Sequence, residues 1–300
     1  MRRPVRSLKP ARAAAAPWLY PSLRESMYRL TWWSVACFPG INVPPAIAGG
    51  TLRAPQSASH HTGHRSCRHA VIVVDAAHLD HKPSLSQAHM FCAETFIILN
   101  RSKEAEGHLN ICVPLAEKYS LANYLIPAKI MQGWVLVQQG EVEAGVHQAE
   151  AALETLKSFP SRRFHLPIRI GIVGLTKVAA GDADGALALF EAELDVASTT
   201  GERWYEPELL RFKAEMLLIQ PKQRATEAEQ CLKAAIALAQ RQEAKFWELR
   251  ATAALAKLRA HQGRPSEARD LLAPVYGCFT EGFDTLDLKQ AKALLDGLHA

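Results

Sequence analysis

From about residue 85 to the C terminus, apolar residues recur every three or four positions, as in Leu187, Phe190, Leu194 and again in Leu232, Ile236, Ala239. That period paints one face of an α-helix. Short polar stretches interrupt it, and three of them carry a glycine, at Gly140, Gly181 and Gly263. Glycine takes the left-handed backbone conformation that ends a helix at no steric cost. Pro265 follows where a first helical turn has no use for its missing N–H.

Around these joints lies a second pattern. Small residues pair at a separation of twelve: Ala93 with Ala105, Gly133 with Gly145, Gly174 with Ala186, and Ala256 with Ala268. A fifth pair, Ala214 and Ala228, has two extra residues and Pro221 in place of the glycine. The second members fall at 105, 145, 186, 228 and 268, a period of 40 to 42 residues. Two helices joined by a short turn approach closely only where neither carries a bulky side chain. These pairs therefore predict five antiparallel helix pairs over about 85–283. A capping helix follows over about 285–298, with Asp284 or Thr285 as N-cap and Leu288, Ala291, Leu294 and Leu295 as its apolar stripe. A lone hairpin cannot bury its apolar face, so copies stack. The expected fold is all-α: a right-handed superhelix, or α-solenoid.

Charge divides the chain in the same place. Residues 1–84 hold eleven Lys/Arg against Glu25, Asp75 and Asp80, a net of +8, whereas the remainder carries −3. The first part is rich in Pro, Arg and His and sustains no apolar period, so it reads as a basic, disordered segment ahead of a repeat domain over 85–300. Basic charge confined to one end implies a tail and not a nucleic-acid-binding domain.

Small, then small twelve residues on, across a helix–turn–helix is the core of the tetratricopeptide pattern. The chain resembles the tetratricopeptide-like C-terminal region of bacterial multi-domain class III adenylate/guanylate cyclase–ATPase signalling proteins. The resemblance is carried by "ILNRSKEAEGHL", "IMQGWVLVQQGEVEAGV", "TGERWYEPELLRFKAEMLL" and the run from "AKFWELRATAALAKL" to "KALLDGL". It spans roughly 70% of the chain. It implies a regulatory role in signalling. It does not imply cyclase or ATPase activity, because no G-x-x-x-x-G-K-[ST] loop occurs: "GIVGLTK" at 171–177 lacks the spacing and lies within a predicted helix.

Other stretches admit both a functional and a plain reading. His60, His61, His64, Cys67 and His69 are donor types that suit zinc, but a structural zinc site draws ligands from a second segment. No metal is expected. "VIVVDAAHLD" at 71–80 could be a strand ending near Asp75, or a short apolar segment leaning on the first helix pair. The uncharged stretch 30–52 has some features of a secretory signal, yet Pro39, Pro44 and Pro45 break any spanning helix. The head could also be an incorrectly assigned start or a frame-shifted junction. Six cysteines show no C-x-x-C or framework spacing, which suits a reducing cytoplasm.

No catalytic constellation emerges. His108, His147, His165 and His261 are scattered, and Trp134, Trp204, Tyr205 and Trp247 suit a core. Within "GERWYEPE", Trp204 and Tyr205 are the candidates for contacting a partner. The expectation is a non-catalytic module that binds a protein or peptide in a concave groove, with no cofactor, nucleic acid or membrane. The alternative is a truncated regulatory part of a cyclase/ATPase protein, acting with a catalytic domain absent from this chain. A third reading, a sensor that binds a small effector, ranks behind both.

Overall fold

Eleven helices account for the regular structure in a computed structural model that describes residues 81–159, 165–220 and 224–298, with no strand among them. They are α1 (Lys82–Ile98), α2 (Ser102–Lys118), α3 (Ala122–Gln139), α4 (Val142–Lys157), α5 (Leu166–Ala179), α6 (Ala183–Thr200), α7 (Glu206–Ile219), α8 (Ala225–Arg241), α9 (Lys245–His261), α10 (Pro265–Gly277) and α11 (Leu286–Gly297). The His60–His69 cluster, the 71–80 segment, the 30–52 stretch and Pro221 lie outside the described residues.

The helices are of two kinds. Even-numbered helices bury a single stripe: Ala105, Leu109, Cys112 and Ala116 on α2, or Ala228, Leu232, Ala235 and Ala239 on α8. Their opposite faces are charged and exposed, as the 3.6-residue period requires of a surface helix. Odd-numbered helices from α1 to α9 are buried over most of their surface, whereas α11 buries a single stripe of Leu288, Ala291 and Leu295. No residue of α5 or α7 is exposed, and α9 has none before His261. The packing partners explain the difference. Each helix from α1 to α9 contacts the next one along the chain, and the odd helices also contact one another in the series α1, α3, α5, α7, α9, α11. An odd helix thus has neighbours on several sides, while an even helix covers one flank and faces solvent.

At the joints the chain bends where the sequence supplies a left-handed residue. Gly140, Gly181 and Gly263 sit at φ of 96°, 84° and 76°. Asn100, Ser120 and Glu243 adopt the same region at φ of 51°, 53° and 55°, without glycine. Asp182 caps α6, its carboxylate accepting from the N–H of Gly185 at 2.9 Å. The small pairs lie where helices cross. A methyl built on Gly133 would come within 2.5 Å of the Gly145 carbonyl oxygen and 2.8 Å of Ala149 Cβ, and one on Gly174 would enter the Phe190 ring. Ala93, Ala105, Ala186, Ala214, Ala228, Ala256 and Ala268 are all fully buried.

The core is continuous from α1 to α9, with Trp134, Phe190, Tyr205 and Phe212 among its largest members. A separate cluster of Leu249, Ala256, Ala268, Leu272, Leu288, Ala291 and Leu295 joins α9 to α10 and α11. At the start of α11 Thr285 is the N-cap residue; its hydroxyl donates to the Gly282 carbonyl at 2.6 Å instead of capping the helix.

Candidate functional site

The odd helices bring together charged residues that chain position alone separates widely. On α7, Glu208, Arg211 and Glu215 stand at i, i+3 and i+7, one helical face. Arg211 grips Glu208 with both arms of its guanidinium, Nε to Oε2 at 3.0 Å and Nη2 to Oε1 at 2.5 Å, and reaches Glu215 Oε1 at 2.5 Å. Arg250 of α9, one repeat later, donates to Glu208 Oε1 at 2.6 Å and through Nε to Asp287 of α11 at 2.9 Å. Three successive odd helices are thereby tied by one chain of charge.

A second cluster does the same at the other end. Arg169 of α5 pairs with Glu94 of α1, and His165 Nδ1 lies 3.3 Å from the same carboxylate. His165 takes a left-handed backbone, φ 61°, and its N–H donates to Glu202 Oε1 at 3.1 Å. Its ring stands between Phe91 and Trp204, with centroids 5.5 and 5.1 Å away. The two clusters meet at Tyr205. Its ring packs against Trp204 and, edge-on, Trp247, and a methyl on Gly171 would strike it at 2.9 Å. Its hydroxyl is buried with no hydrogen-bond partner among the described residues.

Burial sets the electrostatics. It pushes the Tyr205 hydroxyl well above its usual range and Arg169 down to about 9. Burial likewise raises Glu215. For Glu208 burial acts in the same direction, but Arg211 and Arg250 outweigh it and hold the carboxyl low. His165 falls to about 4 because burial disfavours its cation more than Glu202 favours it. Buried charges survive only when paired in this way, since an unpaired one costs several kcal/mol.

A further pair binds α1 to α2. His89 and His108 face each other, Nδ1 to Nδ1, at 2.9 Å. Their ring centroids are 5.1 Å apart, so the two nitrogens lie almost on the line between the rings and share one hydrogen. Burial, then the neighbouring imidazole, lowers His89 to about 4. Elsewhere, an open recess between α2, α3 and α4 is lined by Asn110, Gln132, Gln139 and Gln148 with Glu106. Its amides are tied to the protein, Gln139 to Glu106 and Gln148 to the Lys129 carbonyl.

Of the two residues expected to meet a partner, Trp204 is half-buried. Tyr205 is fully buried, as the core reading of the aromatics has it, with its ring against Gly171 of α5. Trp134 and Trp247 are core residues. The small residues Ala93, Ala105, Gly133, Gly145, Gly174, Ala186, Ala214, Ala228, Ala256 and Ala268 are buried, one of each pair on an odd helix and the other on the even helix that follows it. Sequence inspection missed the charge chain itself. A signal was present, in the i, i+3, i+7 spacing of Glu208, Arg211 and Glu215 and in the 42-residue step from Glu208 to Arg250, close to the repeat.

Among the described residues, no group of three or more His, Cys, Asp or Glu is placed to hold a metal ion, and no helix is long and apolar enough to cross a membrane. The described cysteines are free, and burial raises Cys92 and Cys112 to about 11 and 12, which leaves their thiols protonated. No protein-family model and no curated protein matches the chain.

Proposed function

We propose that this chain is a non-catalytic helical-repeat module, a right-handed superhelix of five antiparallel pairs closed by α11, that binds a protein or peptide partner within a bacterial signalling system. The observation that carries the reading is the contact scheme: odd helices pack in series along an inner row, and even helices flank them. Stacked repeats of this kind create long surfaces whose function is recognition. Charge-paired inner helices add rigidity without a reactive centre, since each buried guanidinium of the row is engaged by a carboxylate. The cytoplasm is the setting that suits free, protonated thiols.

The test uses the full chain as bait in an extract of its own cells, followed by reconstitution of the captured protein with purified chain. Saturable binding that weakens at least about tenfold in Trp204→Ala supports the reading. A chain that binds no protein under either condition retires it.

A second reading has its own support. The segments that resemble cyclase-linked repeats, "ERWYEPELLRFKAE" and "AKFWELRATA", supply Glu208, Arg211, Glu215 and Arg250 of the charge chain. On that reading the module is the regulatory end of a nucleotide cyclase/ATPase protein and works with a catalytic domain in trans. Cyclase coding sequence directly upstream, in any frame, distinguishes the two.

A further inference from the structure

On one side, α1 is buried where each later odd helix meets the even helix before it. It packs on α2 and α3, turns His89 to α2 and sends Glu94 to Arg169 of α5. Ala88, Cys92 and Thr95, at i, i+4 and i+7, share another face. They are 5, 2 and 4% exposed, and no described helix precedes α1 to cover them. Eighty residues of chain do precede its N-cap, His81.

The repeat fixes which of those residues belong on that face. From the small residue of an even helix to that of the next odd helix the chain counts 28 positions from Ala105 to Gly133, Ala186 to Ala214 and Ala228 to Ala256, and 29 from Gly145 to Gly174. Counting 28 back from Ala93 gives residue 65. Positions +1 and +5 of an even helix meet the odd helix that follows. At +1, Glu106 pairs with Gln139 and Glu229 with Arg259. At +5, Glu150 pairs with Lys177 and Glu191 with Lys213. Counted from residue 65, these places hold Ser66 and Ala70, and Val73 stands at +8, where Val113 and Leu153 are buried. On α1 the places of Gln139, of Lys177 and Arg259, and of Lys213 hold Leu99, Phe96 and Cys92. Carboxylates are missing from one side of the joint and cations from the other, so closing it strands no charge.

Two further places agree. Positions 0 and +4 face the odd helix before, since Gly145 and Ala149 both crowd Gly133 of α3. Here they are Arg65 and His69, polar residues that suit a helix with no such neighbour. Asp80 falls where Ser120 and Glu243 hold left-handed bends, a conformation that aspartate tolerates.

We propose that residues 66–77 form the outer helix of a half repeat that closes the N-terminal end of the stack, with Ala70 and Val73 seated on Cys92 and Phe96 of α1. The inference does not depend on what the chain binds. It makes the apolar run at 71–74 part of a helix and not of a strand. Val71, Ile72, Val73 and Val74 are weak helix formers, so packing on α1 and not propensity holds the helix.

Val71 and Val73 give the test, because they point to one side of a strand but to nearly opposite sides of a helix. In the full chain, Val73→Asp sets a carboxylate against α1. Val71→Asp sets one in solvent, at the +6 place where Ile111 of α2 and Ala151 of α4 are exposed. The readout is maleimide labelling of Cys92, followed by peptide mass. Val73→Asp should speed it about tenfold and Val71→Asp should leave it unchanged. Equal effects of the two variants, or no effect of either, overturn the helix. Should Val73→Asp fail to fold, hydrogen exchange of the wild type serves: amides of 66–77 exchange at least about tenfold slower than those of a free peptide of that sequence, and equal rates refute the proposal. A second copy seated on α1 instead would let Cys92 label faster on dilution while 66–77 stays unprotected, and that result also overturns it.

Discussion

Single residues set how closely the helices approach, and two glycines make the point by contrast. Gly133 and Gly107 are both helical, yet a methyl on Gly133 would meet backbone at 2.5 Å, whereas one on Gly107 would meet nothing within 4 Å. Helix propensity alone favours alanine at both by about 1 kcal/mol. Gly107→Ala is therefore expected to raise stability by roughly 0.5–1 kcal/mol, and Gly133→Ala to lower it by about 1–3 kcal/mol because the helices must part. Chemical denaturation of the two variants settles the sign. His89 supplies a prediction of another kind. Its folded pKa, about 4, lies below the ordinary 6.5, so the stability it contributes is intact above about 6.5 and is lost as pH falls toward 4. Denaturation midpoints between pH 7 and 4.5 should drop, and His89→Gln should flatten the fall by about 1–2 kcal/mol.

At the scale of elements, the charge chain fastens one repeat to the next. Arg250 is the link between repeats, since it joins Glu208 on α7 to Asp287 on α11. Replacing it by methionine leaves Glu208 to Arg211 and removes a buried charged partner from Asp287, at a cost of about 1–3 kcal/mol. Replacing Arg264, whose partner Glu267 is half exposed, should cost under about 1 kcal/mol. Thermal melts of Arg250→Met and Arg264→Met compare the two directly. The joint glycines and the alternation of helices were legible in the sequence, because each depends on residues close together in the chain. The charge chain was legible only in part: the 42-residue step from Glu208 to Arg250 follows the repeat, whereas Glu94 and Arg169, 75 positions apart, carry no sign of their meeting until the helices between them are placed. Tyr205 shows the same limit: the sequence left it between a core place and a partner contact, and its fit against Gly171 is seen only once the helices are packed.

Among the described residues the core falls into two clusters that share α9. The smaller one depends on α11, which contributes Leu288, Ala291 and Leu295. Removing residues 286–298 is expected to melt α10 and expose Leu249, Ala256 and Leu272 while α1 to α8 keep their exchange protection. Hydrogen exchange on the shortened chain reads this directly; simultaneous loss of protection from α1 onward would show one cooperative unit instead.

Periodicity and small residues in the sequence by themselves determined that the chain is helical, where its helices turn, and which crossings are tight. These are local matters, decided within one turn or one hairpin by backbone geometry and side-chain volume. The tertiary structure alone decided which helices become the inner row, which charges are buried in pairs and that Glu94 of α1 meets Arg169 of α5. Those outcomes depend on the sum of many small rotations between successive helices, a quantity that no short stretch of residues contains.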